Sequence, residues 1–168
     1  MDNMLNKDGM LRISLMEGQA RAFLIDSTRL VEEARRIHSL SRTATAALGR
    51  TLTGASMMGA MLKDERDSLT LMIKGGGPIG TVMAVARSDG SVKGYVDWPD
   101  TELERRPDGK LNVGGAVGKS GQLTVIKDLG LREPYVGKTN LVSGEIAEDL
   151  AMYFTASEQT PSLVSLGV

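Results

Sequence analysis

Two glycine-rich stretches bring this sequence closest to recognisable chemistry. Gly114-Gly115-Ala116-Val117-Gly118-Lys119-Ser120 ends in the Gly-Lys-Ser of a phosphate-binding loop. Such a loop aims backbone N–H groups at a phosphate, sets a lysine against its charge and starts a helix behind it. The pattern also needs a glycine five positions before the Gly-Lys-Ser, and Val113 stands there. Gly121 then interrupts the expected helix, and residues 123–126 read as a strand. Spacing and context both fail, so a nucleotide-dependent enzyme, sensitive to Lys119→Ala, ranks last among the functional readings. In Gly75-Gly76-Gly77-Pro78-Ile79-Gly80, proline removes one donor and the residues that follow are β-prone, so a hairpin turn is expected.

The remaining reactive groups do not form a centre either. Glu145, Glu148 and Asp149 could do acid–base work as paired carboxylates, but they equally suit the positive end of a helix. Sequence supplies no nucleophile or metal partner for them. His38 is the single histidine, and nothing places it with Asp26 and a serine as a triad. Cysteine is absent, which rules out disulfides and thiolate metal sites, and a zinc site at His38 would need three further carboxylates. No catalytic, cofactor or metal residue is expected, and the chain reads as a non-enzyme.

Twenty basic and 21 acidic residues leave a net charge of -1, so the electrostatic footprint of a nucleic-acid binder is missing. Residues 51–62 are the longest weakly polar stretch, too short for a membrane span and flanked by Arg50 and Lys63. Residues 1–11 are polar, interrupted by Asp2, Lys7 and Asp8, and show no signal-peptide pattern, so a cytoplasmic location is expected. A length of 168 residues suggests one domain over residues 1–168. Aromatic residues make up only 4%, while methionine is frequent at 10. Methionine suits gap-filling or an adaptable binding face, and Met57, Met58 and Met61 are the candidates for such a face.

These features rest on an alternation of short strands and helices. Residues 11–15 and 19–25 alternate apolar and polar side chains around Glu17-Gly18, which predicts a hairpin. Ser27 or Thr28 is expected to cap a helix that buries Leu30, Ala34 and Ile37. Residues 41–63 read as one helix, with Leu48, Leu52, Ala55, Met58 or Gly59, and Leu62 on a stripe and mostly small residues over the rest, hence a buried central helix. Residues 69–73, 79–86 and 92–98 form a meander, residues 99–112 an exposed loop and residues 123–126 a further strand. Ser143 is expected to cap a last helix, residues 144–157, burying Ile146, Leu150 and Tyr153 or Phe154. The fold class is α+β: mostly antiparallel sheets packed with helices, including one long central helix rich in small residues. Residues 163–168 are apolar, which suggests a boundary inside a longer protein.

Several stretches resemble one family. They are Thr43-Ala44-Thr45-Ala46-Ala47-Leu48-Gly49-Arg50-Thr51-Leu52-Thr53-Gly54, then Gly76-Gly77-Pro78-Ile79-Gly80 with Gly94-Tyr95-Val96, then Lys127-Asp128-Leu129-Gly130. Leu141-Val142-Ser143-Gly144-Glu145-Ile146-Ala147-Glu148-Asp149-Leu150 and Ser157-Glu158-Gln159-Thr160-Pro161-Ser162 complete the set. Together they are similar to the redox-regulated heat-shock chaperones known as 33-kDa chaperonins, over essentially the whole chain. The resemblance implies an N-terminal α+β domain that carries much of the surface for unfolding client proteins. A helical linker and a zinc domain with four cysteines would follow it. In the family, oxidation of those cysteines releases zinc and exposes the binding surface, without ATP. This sequence holds neither linker nor zinc domain, so zinc and the redox switch belong to cysteines missing here. The resemblance further implies a homodimer, domain-swapped if the C-terminal segment has lost its native partner. A holdase that prevents aggregation under heat and oxidative stress is the leading reading, with Met57, Met58 and Met61 as candidate client or dimer surface. A dimerisation scaffold without client binding is the alternative.

Overall fold

The computed structural model describes residues 9–167, so the expectations for residues 1–8 and for Val168 lie outside the described residues. The predicted hairpin is a separate two-stranded ribbon, β1 (Gly9–Leu15) against β2 (Ala20–Asp26), closed by a tight turn at Met16–Gly18. Two helices follow, α1 (Thr28–His38) and α2 (Arg42–Gly59). The meander forms β3 (Ser68–Lys74), β4 (Thr81–Arg87) and β5 (Val92–Val96). A one-turn helix α3 (Val113–Val117), strands β6 (Gln122–Asp128) and β7 (Tyr135–Asn140), and helix α4 (Ala147–Ala156) complete the chain. The five later strands make one antiparallel sheet in the order β5-β4-β3-β6-β7. The expected α+β class holds, with the core between this sheet and α2.

Helix α2 is the central helix that its composition predicts. Ala44, Ala46, Ala47, Leu48 and Ala55 are completely buried, because small side chains let its backbone lie close to its neighbours. At Gly49 a Cβ would come within 2.8 Å of Val31 on α1, and at Gly59 within 2.5 Å of the Arg87 carbonyl oxygen on β4. Ser41 caps its start by accepting the Ala44 N–H at 3.1 Å. The helix ends at Gly59 rather than at residue 63, and the chain tightens into a turn there, with the Met61 N–H on the Met58 carbonyl and the Leu62 N–H on that of Gly59.

Two capping expectations need correction. Ser27 does not cap α1 with its side chain; its hydroxyl pairs with that of Thr53 at 2.7 Å. Asp26 takes the role, accepting the Thr28 N–H at 3.0 Å and its hydroxyl at 2.8 Å. Those bonds hold the Asp26 carboxyl below its usual range. Ile37 is 67% exposed, so α1 packs through Leu30, Val31 and Ala34 instead. Likewise Ser143 does not cap α4. The buried Asp149 carboxylate accepts the N–H groups of Val142, Ser143 and Ile146 at 2.7, 3.1 and 2.9 Å. This clamp holds β-branched Ile146 at φ 73, a conformation such residues rarely adopt.

Candidate functional site

The two glycine-rich stretches meet in space, and what they bind is each other. The N–H of Gly77 reaches the Val117 carbonyl at 2.9 Å, that of Ile79 reaches Ala116 at 3.1 Å, and that of Ser120 reaches Gly75 at 3.0 Å. Any side chain at Gly75 or Gly77 would collide with the carbonyls of residues 116–118. Glycine here permits close approach of two backbones. Helix α3 ends before Lys119 instead of starting behind it, and an N–H of its first turn, from Gly114, donates to Glu145 at 3.1 Å. A phosphate at that end would face a carboxylate, so the phosphate-loop reading has no geometric support.

The carboxylate cluster also resolves into structural roles. Glu145 is the centre of a junction: Arg50 from α2 reaches it at 2.6 Å and Arg106 from the 99–112 loop at 3.2 Å. This junction ties the central helix, the exposed loop, α3 and the approach to α4 together. Asp149 is consumed by the backbone, and Glu148 is exposed. A second half-buried cluster closes the far end of α4. Lys127 and Tyr153 both donate to Glu158 at 2.6 Å, and Lys127 lies 5.2 Å from the centre of the Tyr135 ring. Burial pushes the Glu158 carboxyl up, but the bonds from Lys127 and Tyr153 outweigh it and hold the carboxyl below its ordinary range. Burial and the same carboxylate push the Tyr153 phenol strongly up.

The feature able to bind something large is the sheet. Alternation along each strand sends one set of side chains toward α2 and α4 and the other away from them. The inward set, including Leu69, Leu71, Ile73, Val82, Ala84, Leu123 and Val125, is almost completely buried. On the outward face, register aligns Tyr95, Met83, Met72, Thr124 and Lys138 in one row, and Lys93, Val85, Thr70, Ile126 and Val136 in the next, so a lysine ends each row. No helix packs on this second face among the described residues. Tyr95 is 41% and Val136 49% exposed at its edges, and the residues between are mostly half-buried. Two paired methionines at its centre make the surface deformable.

The sequence candidates fall elsewhere. Met58 is buried at 4%, so it belongs to the core and offers no surface; Met57 is half-buried, and Met61 is 37% exposed beside the ribbon. Met72 and Met83 were readable as outward residues from the strand alternation, since each stands between inward-facing apolar neighbours. Among the described residues no cluster of three or more potential metal ligands exists.

The architecture is α+β: an antiparallel sheet sealed by helices on one side and left without a covering helix on the other among the described residues. Comparison then places it: the family model described as Hsp33 protein matches residues 8–168, and the chain belongs to that family. It is similar to the 33 kDa chaperonin of Clostridioides difficile, 59% identical over 162 residues, covering 96% of this chain and 56% of that protein. Its likeness to the 33 kDa chaperonin of Alkaliphilus metalliredigens is 55% identity over 158 residues, covering 94% and 54%. The crystal structure of the 33 kDa chaperonin from Thermotoga maritima superposes with a TM-score of 0.91 at 45% identity, covering 95% of this chain and 54% of that one. The chain spans about half the length of these relatives.

Proposed function

We propose that this domain is an ATP-independent holdase that binds unfolding proteins on the outward face of its five-stranded sheet. The observation that carries the reading is that face: rows of Tyr, Met, Val, Ile and Thr ended by Lys93 and Lys138, half-buried for the most part and with no helix over them among the described residues, in a chain belonging to a family of named chaperonins. Exposed apolar surface of this extent on a folded domain marks an interaction site, and methionine lets it adapt to clients of differing shape. The protein works without catalysis, in the cytoplasm, as a homodimer, during heat and oxidative stress. Redox control, where relatives have it, acts through zinc-binding cysteines outside this sequence, so binding by this chain is independent of reductant. Light scattering of a heat-unfolding client enzyme, in reductant and without nucleotide, tests the proposal. Near-stoichiometric suppression supports it. A folded chain that leaves aggregation unchanged would reduce the domain to a dimerisation scaffold.

A further inference from the structure

The β1–β2 ribbon holds a second surface, distinct from the sheet. Arg12 on β1 stands opposite Phe23 on β2, and Ser14 opposite Arg21. Strand alternation therefore puts both arginines on one face of the ribbon, diagonal to each other, beside the phenylalanine ring. This face forms one wall of an open cleft of about 370 Å³, and Met61 and Leu62 beyond the end of α2 line it from the other side. Phe23 is half-buried, Met61 is 37% exposed, and both arginines are exposed. Elsewhere the exposed arginines Arg35, Arg36, Arg66 and Arg106 are each paired with an acid, while Arg87 and Arg132 carry no ion pair among the described residues. Neither Arg12 nor Arg21 has any ion pair or side-chain hydrogen bond among the described residues. Among the described residues the ribbon pairs only with itself, so each strand keeps an outer edge to which none of them adds a strand.

We infer that this cleft docks an extended peptide segment carrying acidic side chains on either side of an apolar one. Three features specify that occupant together. Two unpartnered guanidiniums select carboxylates, which they can grip bidentately. Phe23 on the ribbon wall and Met61 on the opposite wall take an apolar side chain between them. The free strand edges favour extended backbone, which can add to the ribbon as a further strand. Alternate residues of an extended segment share a face, so acid, apolar and acid at every second position match the cleft. The site does not rest on the holdase reading, because it lies off the sheet and depends on charge.

The test is fluorescence anisotropy with a dye-labelled nonapeptide that carries glutamate, phenylalanine and glutamate at alternate positions, with threonines between. A second peptide has lysines in place of the glutamates. The unaltered chain is expected to bind the glutamate peptide at least tenfold more tightly than the lysine peptide, and the preference should fall with salt. The double variant Arg12→Glu with Arg21→Glu should reverse the preference. Because both side chains are exposed and unpaired, unchanged circular dichroism and Tm are expected, and a second pair, Arg12→Gln with Arg21→Gln, should weaken the glutamate peptide without favouring lysine. Absence of binding by the unaltered chain, or glutamate-peptide affinity that the double variant leaves within twofold, overturns the inference. Client aggregation measured on the same variants separates it from the holdase, since neither arginine lies on the outward sheet face.

Discussion

The two faces of the five-stranded sheet are built from the same strands yet meet different fates. Leu71 and Ile73 point inward and are completely buried, while Met72 between them points outward and stays half-buried. The inward face is sealed because α2 is made of small residues, so that helix and sheet approach until backbone nearly touches backbone at Gly59. Nothing of that kind covers the outward face among the described residues. One face carries the stability of the domain, and the other carries apolar surface that stability does not require.

The comparison can be broken most sharply by substituting adjacent residues. Leu71→Ala should cost about 3 kcal/mol, seen as a lower urea midpoint with unchanged slope. Met72→Ala, one residue along, should cost only about 1 kcal/mol. Similar losses at both positions would mean that the outward face is a second core. Next in size, Gly59→Ala should cost about 2 kcal/mol by forcing α2 off β4, read as a lower Tm. An unchanged Tm would show that the inward seal has slack. The smallest effect concerns the rim of that seal, where Glu158 ties α4 to β6. Its folded carboxyl is held below the ordinary glutamate range, so its contribution is complete above the unfolded value and is lost as the pH falls through the lower folded one. The Tm gap between the unaltered chain and Glu158→Gln should therefore be widest near neutral pH and close on acidification below pH 4.5, the ordinary glutamate value. A gap independent of pH would remove the charge from the account.

The sequence made much of this fold legible, for physical reasons that also explain the misses. Alternation of Leu69, Leu71 and Ile73 marks β3, an apolar run marks β4, and a helix of small residues with few charges is expected to be central. Strand β7 was missed because Tyr135, Gly137, Lys138 and Asn140 show no alternation of apolar side chains; pairing with β6 makes it a strand. Helix α3 is a single turn capped by Asn112 and hidden in glycines. Asp149 was read as one of several helix-end acids, whereas its burial and triple acceptance depend on a loop folded back over it. The methionine candidates were taken from the helix where they cluster, and helical packing buried Met58. The methionines that face outward lie on strands, where the same alternation that marked the core also marked them.

The most direct test of the central claim exploits the absence of native cysteine. A single cysteine placed by Met83→Cys on the outward face, or by Asp100→Cys on the exposed loop, is labelled with a benzophenone maleimide. Each labelled protein is irradiated with a heat-unfolding client. Covalent client adducts in good yield from position 83, and few from position 100, are the predicted result. Equal yields from both, or adducts from position 100 alone, would contradict a client site on the outward face of the sheet.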